Sequence, residues 1–212
     1  MGDLVKKYKI VPFIDNGSGT WVQIKKSTTF TLSMNPQTKT YDFIADEQPV
    51  TEIDSYQPSL GQSLTMFKGE ADYEQMFNML YNEASGSNAH RDLLIAFYQE
   101  QGSYTPDTTA VDCWKAWKAD ATISFNQLDS VNQSIDFDCN LGNKKKGAVT
   151  VADGVPTFIE GTWSGTTFTP AASASTQQSA TPASNNNGEV TGDGNNGEVT
   201  GDGDNELTGD GN

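Results

Sequence analysis

Period two governs most of the first 170 residues, and period 3.6 appears once. From Trp21 to Asn35, WVQIKKSTTFTLSMN sets Val22, Ile24, Phe30, Leu32 and Met34 on one side and Gln23, Lys25, Thr29, Thr31 and Ser33 on the other. That alternation predicts a long, half-buried strand bent near Lys26. Asn35-Pro36-Gln37-Thr38 has the composition of a type I turn, so Thr40 to Ile44 (TYDFI) is expected to return as the partner strand of a hairpin. Upstream, YKIVPFI (8–14) predicts a strand or arm closed by Asp15-Asn16-Gly17-Ser18-Gly19, residues suited to positive φ. Downstream, Ser63 to Lys68 predicts another strand. The continuous apolar run LLIAFY (93–98) predicts one buried on both faces and central.

Later segments follow the same rule. In Val111 to Phe125, Trp114 and Trp117 are spaced for a helix, but Trp117, Ala119, Ala121, Ile123 and Phe125 alternate, which favours a strand. Ser134 to Asn140 alternates Ile135, Phe137 and Cys139 inward with Asp136 and Asp138 outward. Leu141 to Gly147, with three lysines, reads as a charged loop, and Ala148–Val151 and Val155–Ile159 as a hairpin about Asp153-Gly154.

The helical period falls in TMFKGEADYEQMFNMLYNEASG (65–86), where Tyr73, Met76, Phe77, Leu80 and Tyr81 form one stripe. Asp72 is expected to cap its first turn with Gln75 reaching back, and Gly86 to take the left-handed position after its end. A stripe of this kind needs a sheet to lie on, so Tyr73, Met76, Phe77 and Leu80 are assigned as the core face of the helix.

Between two confident strands, ADEQPVTEIDSYQPSLGQ (45–62) has two prolines, several acids and little periodicity. Long connections of that sort in compact domains usually have a task. It is read as a contact arm to a neighbouring subunit, with Pro49, Ile53, Tyr56 and Pro58 as its contact residues, against the simpler reading of a tolerated surface insertion.

Composition divides the chain. Residues 1–169 have the apolar content of one domain, 170–187 form a Pro/Ser/Ala/Asn-rich linker, and 188–212 an acidic Gly/Asp tail with a nine-residue repeat, NGEVTGDGN then NGEVTGDGD. The tail has too little apolar surface to offset chain entropy and is expected to be disordered. Nine acids and no base follow Lys146, accounting for −9 of a net −15. A pI near 4.2 argues against gripping a phosphate backbone. The first residues, MGDLVKKYKI, lack a secretory apolar run, and no 18-residue apolar stretch occurs, so neither export nor membrane insertion is expected.

Site chemistry is sparse. There is one histidine, His90, read as a solvated loop residue, and two cysteines, Cys113 and Cys139, without CxxC spacing, read as buried reduced thiols. No GxxxxGK[ST], HExxH or GxSxG is present. Asp202-Gly203-Asp204 with Asn205 and Glu206 resembles an Asp-rich calcium loop but lacks the glycine and terminal glutamate of an EF-hand. No catalytic residue, metal ligand or cofactor is assigned, and a non-enzymatic role is expected.

The stretch from Thr20 to Leu80 resembles the major tail (tail tube) proteins of long-tailed bacteriophages of Gram-positive hosts. It shares their order of long Thr-rich hairpin, the phrase YDFIADEQPVTEI, a long loop before a strand, and a helix of the DYEQMF type. The likeness runs on through DLLIAFY and CWKAWKADATISF to about Thr162 and leaves out the repeats. It implies a mainly β fold with one helix, a sandwich or barrel of the tail-tube type. It further implies six copies to a ring, rings stacked into a virion tail tube assembled in the host cytoplasm, and a lumen passing tape-measure protein and then genome. Tail terminator and baseplate proteins are the other partners it implies, with DNA only a transient passenger. The alternative from the residues alone is a secreted or surface β-sandwich that binds carbohydrate or acts as an adhesin, stacking sugars on Trp114, Trp117 and Trp163.

Overall fold

The computed structural model of the protein describes residues 4–45 and 47–172. The repeats, their calcium-like loop and all but the first three residues of the linker lie outside that range. Eleven strands and one α-helix are present among the described residues: β1 (Ile10–Asp15), β2 (Trp21–Gln23), β3 (Ser27–Ser33), β4 (Pro36–Tyr41), β5 (Val50–Tyr56), β6 (Ser59–Thr65), α1 (Ala71–Tyr81), β7 (His90–Tyr104), β8 (Val111–Asp129), β9 (Ser134–Ala152), β10 (Val155–Ser164) and β11 (Thr167–Pro170). The fold is mainly β with one helix, and it contains a closed barrel.

Closure follows from strand length. β8 and β9 have 19 residues each, long enough to serve two neighbourhoods. At one end, β9 pairs β6 and β6 pairs β3, while β7 pairs β1 and β1 pairs β2, all antiparallel. At the other end, β7, β8, β9, β10 and β11 pair in succession, and Thr167 of β11 meets Ser103 of β7 in parallel register. Ser103 N–H donates to the Thr166 carbonyl at 3.0 Å. All five strands contribute to the cluster Tyr104, Cys113, Ala148, Ile159, Trp163 and Phe168, which fills this end.

Ring closure forces strands close together, and glycine is needed where they meet. A Cβ at Gly102 would run into the Thr166 carbonyl and lie 2.5 Å from the Trp163 ring. At Gly147 it would run into the Ile159 carbonyl and the Phe158 ring, and at Gly161 into the Thr169 carbonyl and the Phe168 ring. Each aromatic ring covers the bare backbone of its glycine.

β7 is buried on both faces, as LLIAFY predicts. Leu93 and Ile95 join the larger core, with Ile14, Leu60, Leu64, Ile123, Ile135, Phe137 and Cys139, under α1. Leu94 and Ala96 face the opposite way and join Val11, Phe13, Ala116 and Val149 beneath Trp21, Tyr98, Trp114 and Phe158. The alternation in β9 also holds: Ile135, Phe137 and Cys139 are fully buried, while Asp136 accepts from Ser63 Oγ and Gln127 Nε2 on the outer face.

Several expectations are corrected. Asn35 has φ 41°, and the chain passes through it into β4 without turning back. β3 therefore pairs with β6, and β4 with β5, instead of β3 pairing with 40–44. Residues 45–62 are not an unstructured connection, because they hold β5 and the start of β6. Leu141–Gly147 is not a loop either. β9 runs through it, with Trp117 and Lys118 of β8 opposite Lys146 and Lys145. His90 opens β7 and lies 3.2 Å from Asp120.

The helix ends also differ. Its N-cap is Glu70, with no side-chain cap, and Glu74 Oε1 accepts from Gly69 N–H at 3.0 Å. Asp72 is drawn inward: Oδ2 accepts from the N–H of Lys25 (2.9 Å) and Lys26 (3.1 Å), and Gln75 donates to the Asp15 carbonyl. Helix and β2–β3 corner are thereby tied together. At the other end Glu83, at φ 48°, takes the left-handed position in place of Gly86. Ala84 N–H bonds to the Met79 carbonyl and Glu83 N–H to that of Leu80, which is the Schellman pattern. A side chain in that conformation carries a strain glycine lacks, so Glu83→Gly should stabilise the body by about 1 kcal/mol, read from the urea midpoint. An unchanged or lower midpoint would contradict it.

On the helix stripe, Met76 is fully buried and Tyr73, Phe77 and Leu80 are half-buried against the larger core. Met79, outside the predicted stripe, is more buried than those three. Phe77 stacks between Tyr73 and Tyr81, with ring centroids 5.5 and 6.1 Å away.

Candidate functional site

β4 and β5 form a two-stranded sheet of their own, separate from the nine-stranded one. Every residue of β5 is exposed, and all of β4 except Tyr41, which is half-buried. At its root the chain is pinned: Gln57 N–H donates to the Asn35 carbonyl at 3.2 Å, and Asn35 Nδ2 donates to the Gln57 carbonyl and to Ser59 Oγ, both at 3.1 Å. Asn35 is suited to its positive φ because its short amide can bond locally. Six or seven residues at about 3.3 Å each make a projection of about 20 Å.

Of the residues assigned to the arm from sequence, Pro49, Ile53 and Tyr56 are exposed on this hairpin. Pro58 is not on it. It is buried at the root, where its carbonyl accepts from Leu141 N–H at 2.9 Å. Sequence reasoning missed Phe43, Ile44 and Val50, which are exposed near the tip, Ile44 completely. It places Phe43 and Ile44 in the strand expected to pair with Trp21–Asn35. The signal available was the exposure implied by flanking acids at Asp42, Asp46 and Glu47. Tyr41 and Phe43 stack at 5.6 Å with rings 4° from parallel, giving an apolar edge on either side of Asp42 in the sequence.

An isolated two-stranded hairpin is marginal in water, and both outer edges of this one lack a strand partner among the described residues. Its geometry offers strand edges and apolar side chains to another surface. Between the root and β9 lies an open groove of about 620 Å³, lined by Tyr56, Gln57 and Pro58 on one side and Asn140, Asn143 and Lys144 on the other.

Elsewhere the chemistry is structural. Cys113 and Cys139 are free and buried, and burial, with a nearby Asp in each case, pushes both thiols up, Cys139 to about 12. No group of three His, Cys, Asp or Glu is gathered as metal ligands among the described residues. The two buried polar side chains there are Gln62, in line with Leu60 and Leu64, and Asp72, which ties the helix down. Trp114, Trp117 and Trp163 are half-buried and engaged: Trp114 with Tyr98, Trp117 with Phe97, and Trp163 with Phe168 and, through Nε1, the Gly147 carbonyl at 2.9 Å. No helix of the described residues is long and apolar enough to cross a membrane.

No family model and no curated protein matches the sequence. Among solved structures the chain is similar to one from the cryo-EM structure of the anti-feeding prophage baseplate, 6-fold symmetrised, with a TM-score of 0.38 and 10% identity. The match covers 69% of this chain and 97% of that one.

Proposed function

We propose that this chain is a structural subunit of a bacteriophage virion, the major tail tube protein, whose copies form hexameric rings stacked into a tube. The observation that carries the reading is the hairpin β4–β5, which stands off a closed body with its apolar residues and strand edges uncovered. The sequence resemblance over Thr20–Leu80 supports it. Tape-measure protein, tail terminator and baseplate proteins are the partners in this reading, and the tail of the virion is its location. An acidic body, −6 up to Lys146, suits a channel for DNA, because like charge keeps the passing genome from adhering. Catalysis has no part in the proposal. The carbohydrate-binding alternative loses support because its three tryptophans are half-buried and each packs against an aromatic ring of the same chain.

The test is to remove the arm. Asn35 and Gln57 are already hydrogen-bonded, so a two-residue Gly-containing turn can replace residues 36–56 without moving the body. We expect the melting temperature to stay within a few degrees, since the hairpin contributes nothing to the buried clusters. Negative-stain microscopy should show tubes or six-fold rings for the intact chain and only monomers for the arm-less one. Rings or tubes from the arm-less chain would overturn the arm's role.

A further inference from the structure

We infer that the arm tip of one copy docks on a cationic rim of the next, formed by Lys144 and Lys146 of β9 beside Trp117 and the groove at that copy's arm root. This rests on the assembly reading above and names the surface that receives the arm.

The rim is unusual for so acidic a chain. Lys115, Lys118 and Lys145 each hold a carboxylate, Glu100 at 2.8 Å, Asp92 at 2.7 Å and Glu160 at 2.8 Å. Lys144 and Lys146 hold none among the described residues. Two residues apart on one strand, they share a face, and Lys146 stands opposite Trp117 in register. Lys144 Nζ lies 4.2 Å from the centroid of the Trp117 ring and is half-buried at the edge of the groove. Burial first, and then the charge of Lys146, lowers the pKa of Lys144. A carboxylate brought to the pair would relieve that repulsion.

The tip has the matching chemistry. At the tip the acids Asp42 and Glu47 are exposed, as are Phe43 and Ile44. Its acids fit the two lysines and its apolar pair fits the open groove beside Pro58 and Tyr56. The tip cannot reach its own groove. The groove lies at the root, and the hairpin carries the tip about 20 Å away from it. The occupant is therefore a second copy, in a head-to-tail contact that repeats. A second cationic group, Lys6, Lys7 and Lys9 around Tyr8, lies on an exposed segment outside the groove, which makes it the weaker acceptor.

Charge exchange tests this. Lys144→Glu/Lys146→Glu and, separately, Asp42→Lys/Glu47→Lys should each weaken self-association at least about ten-fold in sedimentation velocity at low salt. Both should keep the far-UV circular dichroism of the parent, and Lys146→Glu alone, at an exposed residue, serves if the pair disturbs folding. All four changes in one chain should restore assembly. If the lysine reversal assembles like the parent while the arm-less chain stays monomeric, the receiving surface is wrong and the arm reading survives. If the arm-less chain assembles, the arm reading itself falls. Failure of the four-fold exchange to rescue, or loss of assembly through Lys6→Glu/Lys7→Glu in place of the β9 pair, overturns the inference as well.

Discussion

Gly147→Ala is expected to destabilise the body by about 3 kcal/mol, at the upper end of what overpacking costs, and to lower the urea midpoint accordingly. The added methyl has no free volume. It would run into the backbone carbonyl of Ile159 on β10 and lie 2.7 and 2.9 Å from two atoms of the Phe158 ring. A flexible side chain could swing aside, but a carbonyl in a ladder cannot. Gly147 is paired with Glu160 on β10 and with Ala116 on β8, so relief on one side strains the other. Because the strands close on themselves, the strain has no edge at which to dissipate. Gly142, on the same strand but exposed, is the control. A Cβ there would meet only the Asp120 carbonyl, at 3.4 Å, so Gly142→Ala should change stability by well under 1 kcal/mol. Equal effects at the two sites would mean that the barrel end is looser than the strand pairing describes.

Gly147 shows why the sequence is legible in some places and mute in others. Where burial is decided by one face of one element, the pattern of side chains is sufficient. Ile135, Phe137 and Cys139 alternate because one face of β9 is core, and LLIAFY is continuous because β7 has core on both faces. Asp153-Gly154, with φ of 51° and 81°, supplies the tight turn that its dipeptide announces. The lysine segment fails the same reading for a physical reason. Its strand carries polar side chains outward on both faces, so it lacks the period-two apolar signal while still completing a ladder with β8. The arm fails similarly, since a hairpin with no covered face has no alternation to read. The turn expected at Asn35-Pro36 was a fair composition match. A left-handed Asn followed by Pro, however, also lets a strand change direction and continue, and the choice was made by Gln57 and Ser59, more than 20 residues away. Of the candidate site, the sequence located the segment and three of its exposed residues, Pro49, Ile53 and Tyr56. Singling out Lys144 and Lys146 needed the knowledge of which of their neighbours were already paired.

Asp72→Ala should cost about 3 kcal/mol, although Asp72 looks from sequence like a replaceable helix cap. Its carboxylate accepts three backbone N–H groups: Lys25 and Lys26 on Oδ2 at 2.9 and 3.1 Å, and Tyr73 on Oδ1 at 3.0 Å. An exposed cap would contribute about 1 kcal/mol. This group is buried and its partners are 46 and 47 residues away, so truncation strands two part-buried amides as well as removing charge-assisted bonds of about 1.5 to 3 kcal/mol each. The bonds also hold the corner between β2 and β3 against the helix. Asp72→Asn keeps one acceptor oxygen and nearly the same volume, and should lose about half as much. Urea midpoints of the parent, Asp72→Ala and Asp72→Asn decide the matter. If Asp72→Ala loses less than about 1 kcal/mol, the helix is held by Met76 and Met79 alone, and the carboxylate serves only as the ordinary cap that the sequence suggests.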